Sequence, residues 1–218
     1  MRTFLITICC FTLMGITVNA QDQKIATVGL KTGMAISNKY GDDGNGTWRT
    51  SFTVGVTLDV RLGDEFYLLT GLDYIVKGSQ TKKGTEWPKP AENPQWMLSM
   101  KENPTYLQMP FRFGYKFYIG EDKDFSIMPY GGLYIAYGIG GKTIYTYKPI
   151  DGSPSFEEKN PTFDVNVSKF DYGAGLGFTA EYRHVVLSAE HDWGLKPFAK
   201  NYNDLKNKCI SITLGYKF

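Results

Sequence analysis

The chain has 218 residues, a formal net charge of +2, two histidines and a large share of glycine and aromatic residues. This balance leaves no broad basic face, so we expect no nucleic-acid partner. The longest apolar run, 4–18, is shorter than the ~20 residues that a membrane-spanning helix needs. We therefore expect no helical span in the mature chain.

The first twenty residues have the order of a secretory signal peptide. Arg2 precedes the apolar run, and the small-residue sequence Val18-Asn19-Ala20 follows it. We predict cleavage between Ala20 and Gln21, which leaves residues 21–218 as one domain.

Apolar side chains then alternate with small or polar ones along most of the chain. A period of two is typical of strands that have two different faces. The pattern predicts eight strands, at 28–36, 52–62, 66–76, 107–119, 125–139, 170–182, 185–195 and 209–218. Pro110 and Pro129 lie inside two of them and leave the register there open, because proline cannot donate a ladder hydrogen bond.

The connections between these strands alternate in length. Short turns are expected at 62–65, 120–124 and 183–184. Long polar loops are expected at 37–50, 78–104, 140–167 and 196–207. This order predicts an all-β fold, an eight-stranded antiparallel up-and-down barrel with its turns at one end and its loops at the other.

The bulk of the two faces predicts which one points outward. The lumen of an eight-stranded barrel is only just wide enough for side chains to fill. The many rings of the apolar face would overfill it, whereas the glycines, threonines and charges of the other face would fit. We therefore predict a transmembrane barrel with rings toward lipid and aromatic girdles at both interfaces, located in the outer membrane.

The polar face carries cations and carboxylates in equal number. We expect these to pair in the lumen, because a buried charge is tolerated only with a partner. A lumen filled in this way leaves no open diffusion channel. The expected network consists of Lys31, Arg61, Lys77, Arg112, Lys116, Lys217, Asp59, Asp73, Asp171, Glu181, Glu190 and Asp192.

Four segments resemble the PorT-like family of small outer-membrane β-barrels of Gram-negative bacteria: 28–33, 106–111, 170–173 and 214–218. The resemblance implies an exported barrel inserted by the outer-membrane assembly machinery, which reads a final strand ending in an aromatic residue. The matching positions are Ile212, Leu214, Tyr216 and Phe218. Some relatives are linked to protein secretion, and the family has no shared catalytic motif.

The remaining residues offer little chemistry. Cys209 would be the single thiol after cleavage and is expected to be a small strand residue. His191 could serve a lipid-modifying enzyme, but its neighbours Glu190 and Asp192 would point to the opposite face. Two histidines and one cysteine predict no metal site, and we expect no cofactor.

The leading hypothesis is therefore a monomeric barrel with its termini in the periplasm, its four long loops outside the cell and a structural or interactive role. Its expected partners are outer-membrane lipids, the assembly machinery and an unidentified surface or secretion partner. Loop aromatics could form a binding platform, or they could fold over the barrel mouth or lie in the headgroup layer of the membrane. These aromatics are Trp48, Trp87, Trp96, Tyr106, Tyr145 and Tyr147. A soluble, lipocalin-like binder of a small hydrophobic ligand is the third alternative, and it requires the apolar face inside.

Overall fold

The computed structural model describes residues 25–41, 46–81, 95–149, 153–163, 166–199 and 202–218. The predicted signal peptide, with its Ala20–Gln21 cleavage site, lies outside these ranges. The regular structure in them consists of strands: β1 Ala26–Tyr40, β2 Gly46–Thr47, β3 Arg49–Arg61, β4 Phe66–Val76, β5 Gln80–Thr81, β6 Gln95–Tyr115, β7 Phe117–Ile119, β8 Phe125–Pro149, β9 Phe156–Pro161, β10 Phe170–Tyr182, β11 Val185–Ala199 and β12 Tyr202–Lys217. No helix in the described ranges is long and apolar enough to cross a membrane.

Eight of the described strands close into a ring. The antiparallel order is β1, β3, β4, β6, β8, β10, β11 and β12, and β12 pairs again with β1. The closing ladder is continuous from Gly29 opposite Lys217 to Tyr40 opposite Lys206. Strands that follow one another around the ring also follow one another along the chain, which confirms the predicted up-and-down barrel.

The two faces of the barrel wall have the predicted orientation. Phe113, Leu214 and Phe218 are 59%, 57% and 59% exposed. Alternate positions such as Arg112 and Thr213 are buried. The apolar face is therefore the outer surface, and the small and polar face encloses the lumen.

The girdle aromatics also lie on the outer face. Those near the short turns, which we call the turn end, are Phe66, Phe117, Tyr182, Tyr216 and Phe218. Those at the opposite end, which we call the loop end, are Phe52, Tyr74, Tyr137 and Phe170, with the half-buried Trp193 beside them. Two girdles of aromatic side chains therefore border the apolar surface, as in barrels that cross a membrane.

Both internal prolines coincide with an interruption of pairing. The β4–β6 ladder passes from Thr70–Phe111 directly to Asp73–Gln108, and Pro110 lies within that gap. The predicted strand 107–119 is divided at Lys116, opposite the segment of β8 that contains Pro129. On its other edge each proline keeps its place in a ladder, Pro110 opposite Tyr134 and Pro129 opposite Phe178. Because proline has no N–H to donate, the pairing is interrupted on one edge only.

The loop-end segments were predicted wrongly as loops over much of their length. β6 begins at Gln95 and β8 ends at Pro149, so they have 21 and 25 residues where about ten cross a membrane. β9 pairs with the far part of β8. We call the three paired segments 95–103, 141–149 and 156–161 the projecting sheet. Beyond the apolar wall these strands have no lipid on either face, so their residues lack the apolar alternation that reveals a membrane strand.

The shorter loops also contain more strand than predicted. β1 continues to Tyr40, β11 continues to Ala199 and β12 begins at Tyr202. The short turns at 62–65, 120–124 and 183–184 have the predicted positions. The sequence pattern therefore predicted the turn end of the barrel correctly and underestimated the length of the strands at the loop end.

A cross-strand disulfide would test closure of the ring. Met34 on β1 lies opposite Ile212 on β12. In a Cys209→Ser background, we expect Met34→Cys with Ile212→Cys to crosslink, because directly opposite residues have Cα atoms ~5 Å apart. The measurement is a change in the gel migration of the unfolded chain that an added thiol reductant reverses. Met34→Cys with Phe218→Cys is the matched control, and equal crosslinking of both pairs would contradict the register.

Candidate functional site

The lumen at the turn end is filled by two lysines and two carboxylates. Lys217 Nζ lies 2.5 Å from Asp59 Oδ2 and 2.6 Å from Glu181 Oε2. Lys116 Nζ lies 3.0 Å from Glu181 Oε1. The two lysines belong to the repeated sequence Gly-Tyr-Lys-Phe at 114–117 and 215–218, so the repeat sends both ammonium groups to one carboxylate. This layer has as many cations as anions.

The middle of the lumen is built around Arg112, whose side chain is almost fully buried. Its guanidinium donates to Glu190 at 3.3 Å and forms a short ion pair with Asp192. The other Asp192 oxygen accepts a 2.8 Å hydrogen bond from Gln108. Gly175 makes this packing possible, because a Cβ there would overlap both Asp192 and the guanidinium.

Lys31 and Asp73 complete the middle layer with an ion pair of 2.9 Å. A cavity of about 80 Å³ lies beside them. Asp73 Oδ1 and Arg112 Nη1 are buried without a hydrogen-bond partner in the described chain. Because a water molecule needs roughly 10–15 Å³ and two or more polar partners, the cavity suits a few water molecules and no larger solute.

A third layer lies nearer the loop end. Asp171 Oδ2 is 3.4 Å from Lys77 Nζ, 3.3 Å from the Tyr134 hydroxyl and 3.2 Å from Asn207 Nδ2. The Lys77 ammonium also lies 4.2 Å from the centre of the Tyr134 ring. The buried Cys209 packs in the apolar part of this layer.

The mouth of the lumen is closed by a further ion pair and two rings. Lys39 forms a short contact with Glu102, which also accepts a 2.9 Å hydrogen bond from Ser79. Burial lowers the pKa of the Lys39 ammonium below its usual range, despite the attraction of Glu102. The same ammonium lies 3.4 Å from the centre of the Phe198 ring.

Phe163 closes the other side of the mouth. Its ring contacts Tyr106 edge-on, with 5.4 Å between centroids. It occupies the space over Gly138, where a Cβ would overlap the ring. Apart from the cavity beside Lys31 and Asp73, the described side chains therefore fill the barrel from the turn end to the mouth.

The structure places eleven of the twelve predicted network residues in these layers and one elsewhere. Arg61 lies at the turn end, where its guanidinium donates to the carbonyl oxygens of Gly63 and Asp64. The pair Lys39–Glu102 and the neutral partner Gln108 were missed. Lys39 continues the inward alternation of β1, which was the available signal, but we expected a loop there.

His191 lies on the outer face, and its ring stacks on Trp193 with 4.1 Å between centroids. Its Nε2 is buried without a hydrogen-bond partner among the described residues. Glu190 and Asp192 point into the lumen toward Arg112. No carboxylate in the described part of the chain is therefore positioned to orient this histidine as a base.

The projecting sheet carries a ladder of rings. Tyr145 and Tyr147 stack with 6.3 Å between centroids, and Tyr147 and Phe156 with 5.4 Å. Tyr106, another of the aromatic residues predicted to form a binding platform, is instead buried in the part of the lumen near the loop end. Trp87 lies outside the described residues, and only the backbone of Trp96 is described. Three aromatic side chains thus form one face beyond the membrane wall.

Within the described ranges, no group of three histidine, cysteine, aspartate or glutamate side chains is placed to hold a metal ion. What the geometry defines is a barrel with an apolar outer belt, aromatic girdles and a lumen filled by paired ions. These are the properties of an integral barrel of the outer membrane.

The comparisons with known proteins agree with this class. A family model described as an outer membrane protein beta-barrel domain matches residues 19–200, so the chain belongs to that family and is an outer-membrane protein. No curated protein matches the chain.

Several solved outer-membrane barrels are similar to this chain. Ail, the attachment invasion locus protein of Yersinia pestis, is 13% identical with a TM-score of 0.42, over 89% of this chain and 100% of Ail. Neisserial surface protein A is 13% identical with a TM-score of 0.44, over 89% and 100%. OprG from Pseudomonas aeruginosa is 13% identical with a TM-score of 0.41, over 92% and 99%.

Removing the shared carboxylate should destabilise the barrel. We expect Glu181→Gln to lower the free energy of unfolding by about 3 kcal/mol or more, because it leaves Lys116 without its carboxylate in a buried site. The measurement is urea unfolding in lipid vesicles. Glu121→Gln, on the exposed turn 120–124, is the matched control. In the double variant Glu181→Gln with Lys116→Met, part of the loss should return, and strictly additive effects would contradict the pairing.

Proposed function

We propose that this protein is a non-enzymatic outer-membrane barrel that does not conduct solutes and that presents the projecting sheet to a partner at the cell surface. The observation that carries the proposal is the contrast between the two parts of the molecule. The lumen is filled by ion pairs, whereas the strands that form its wall continue far beyond the aromatic girdle.

A closed lumen argues against transport as the main role. Every lysine that points into the lumen has a carboxylate within ion-pair distance, and Arg112 is held by two. Opening a path would separate buried pairs, and breaking one such pair costs ~3–5 kcal/mol. A solute-sized opening would require several such breaks at once.

The projecting sheet has the features of a binding element. Its strands are hydrogen-bonded to one another and continue from β6 and β8 of the wall, so the sheet is held in a fixed orientation. The exposed Phe156 continues the ladder of Tyr145 and Tyr147. Aromatic side chains that are already ordered lose little conformational entropy on binding, and they dominate many interfaces.

Sequence supports a closer affiliation to PorT-like barrels. The four segments of that resemblance lie in β1, β6, β10 and β12. The terminal positions Ile212, Leu214, Tyr216 and Phe218 are exposed on the outer face of the closing strand. We propose that the assembly machinery reads this outward row and that the inserted barrel is a monomer.

The two other hypotheses lack support of this kind. Lipid-modifying chemistry at His191 would need a nucleophile or carboxylate beside the ring, whereas the ring lies against Trp193, opposite Ile210 and near the cation of Lys208. A lipocalin-like binder would need its apolar face in the lumen, and that face lies outside. The surface-interaction role is therefore the better supported of the three.

Planar bilayers test the closed lumen. We expect the purified full-length chain to insert without stepwise currents, because charged and aromatic side chains occupy the barrel from one end to the other. A general porin recorded under the same conditions serves as the positive control. Stepwise conductance at the level of that porin would contradict the proposal.

Site-specific photo-crosslinking in living cells tests the surface role. A photoreactive residue in place of Glu158 on β9 should give discrete crosslinked species. We expect the triple substitution Tyr145→Ser, Tyr147→Ser and Phe156→Ser to reduce the amount of these species at least about fivefold. This factor corresponds to the loss of ~1 kcal/mol, the energy of one aromatic contact.

The same photoreactive residue at Asp122, on the turn end, is the control and should be unaffected by the triple substitution. Heat-modifiable gel migration would establish that the triple variant still forms the closed barrel. Unchanged crosslinks at position 158 in a folded triple variant would overturn the role of the ring ladder.

A further inference from the structure

Three lysines lie on the outer face of the barrel directly beyond the apolar surface. Lys208 is two residues from Ile210 on β12, and Lys206 is two residues further from the membrane on the same face. Lys196 follows the exposed Leu195 on β11. Along both strands, the outward side chains change from aliphatic to cationic within one or two positions.

Contacts hold two of these ammonium groups against outward aromatic rings. Lys208 Nζ lies 4.9 Å from the centre of the Trp48 ring, and Lys196 Nζ lies 5.0 Å from that of Phe170. Trp48 and Phe170 are 41% and 43% exposed. The ammonium groups therefore remain on the outside of the wall, at the level of the loop-end girdle.

The pairing of β11 with β12 brings the three lysines into one patch. Lys208 lies opposite Trp193, and Lys206 lies opposite Pro197, the residue after Lys196. We call Lys196, Lys206 and Lys208 the rim lysines. The ring contacts direct Lys196 toward β10 and Lys208 toward the residue that precedes β3, so the rim lysines form a band of cations along the outer wall.

The rim lysines differ from those of the lumen in having no carboxylate partner among the residues that the structure describes. The inward lysines are all paired, but no carboxylate oxygen of the described chain lies within 4.0 Å of a rim lysine. Asp204 is exposed on the same face of β12 and forms no ion pair with them. A sequence that pairs its buried cations so thoroughly leaves these three available to an external anion.

The rim lysines are also part of a charge difference between the two ends of the described barrel. The cations outside the lumen at the loop end are Lys101, Lys142, Lys159, Lys169, Lys196, Lys206 and Lys208, against the carboxylates Glu157, Glu158 and Asp204. The turn end has Arg61, Lys123 and Arg183 against Asp64, Glu65, Glu121, Asp122 and Asp124. The loop end is therefore cationic and the turn end anionic.

We propose that the rim lysines bind the phosphate groups of a phosphorylated glycolipid in the outer leaflet of the outer membrane. The patch lies where the apolar surface ends, which is the depth of a lipid headgroup. Lysine ammonium groups bind phosphate as compact charges without a fixed geometry. The bound headgroup supplies the anion that the described residues do not, and its acyl chains lie against Leu195 and Ile210.

Thermal unfolding in vesicles tests the proposal with the full-length chain. Phosphorylated lipid A in phosphatidylcholine vesicles is the probe, and the same vesicles with dephosphorylated lipid A are the reference. We expect the wild type to bind the phosphorylated form and to unfold at a higher temperature in its presence. Each Lys→Gln substitution in the patch should weaken binding about fivefold, the factor that corresponds to ~1 kcal/mol per lysine.

A matched triple variant separates this site from general electrostatics. Lys101→Gln, Lys142→Gln and Lys159→Gln remove the same charge from the projecting sheet, further from the membrane, and should leave lipid binding within about twofold. Lys→Arg at the three rim positions should preserve binding, because the cation is kept. Equal losses in the two Gln triple variants, or equal binding of both lipid forms by the wild type, would overturn the proposal.

A third arm distinguishes lipid from free anion. Inorganic phosphate added to phosphatidylcholine vesicles should give little stabilisation, because the patch has no enclosed pocket and depends on a headgroup held at its depth. Stabilisation by free phosphate equal to that by lipid A would refute the lipid assignment. If the Gln triple variant fails to fold, the arginine variant and the two lipid forms still decide the outcome.

Discussion

The narrow lumen of an eight-stranded barrel is the constraint on which the rest of this structure depends. Such a ring holds a few aromatic side chains, among them Tyr106 and Tyr134, but it cannot hold all of those that this sequence supplies. Most of the rings must therefore face outward, and only lipid accepts a surface of that kind. The inward positions then receive charges, and burial requires that those charges be paired. Membrane location and the ion-filled lumen follow from one geometric limit.

Glycine makes the ionic filling possible. The guanidinium of Arg112 and the carboxylate of Asp192 occupy the volume that a side chain at Gly175 would need. At the mouth, Phe163 lies in the space left by Gly138. These glycines weaken the strands slightly by their flexibility, but they admit large partners from elsewhere in the ring. The lumen is therefore packed by a few long side chains that cross it, and the glycines leave room for these side chains at the wall.

The parts of the fold that could be predicted are those where the environment differs between the two faces of a strand. Phe113 faces lipid, and its neighbour Arg112 faces a buried carboxylate. The order of these two residues in the sequence therefore reveals which face of the strand points outward. The strands of the projecting sheet have no lipid on either face, and residues 95–103 therefore gave no comparable signal. Arg61 alternates correctly but lies at the turn end, where local carbonyl groups are nearer than the lumen carboxylates. Alternation defines the face of a residue and not its partner. Lys39 and Glu102 were missed for another reason, because both lie in segments that were predicted as loops.

The loop end also shows how one continuous strand passes from membrane to water. On β11 and β12 the change is chemical, since lysine replaces leucine or isoleucine while pairing continues with local bulges. On β6 and β8 the change is also structural: the register shifts between Thr105 and Tyr106, beside Gly140 and Gly141. Gly141 has a φ of 142°, a conformation that side chains rarely adopt, and it allows the close approach of the Asn103 carbonyl. A bulge of this kind bends a strand without ending it. The barrel therefore keeps its hydrogen bonds as it leaves the bilayer, and the sheet beyond the girdle is held in place by the membrane wall itself.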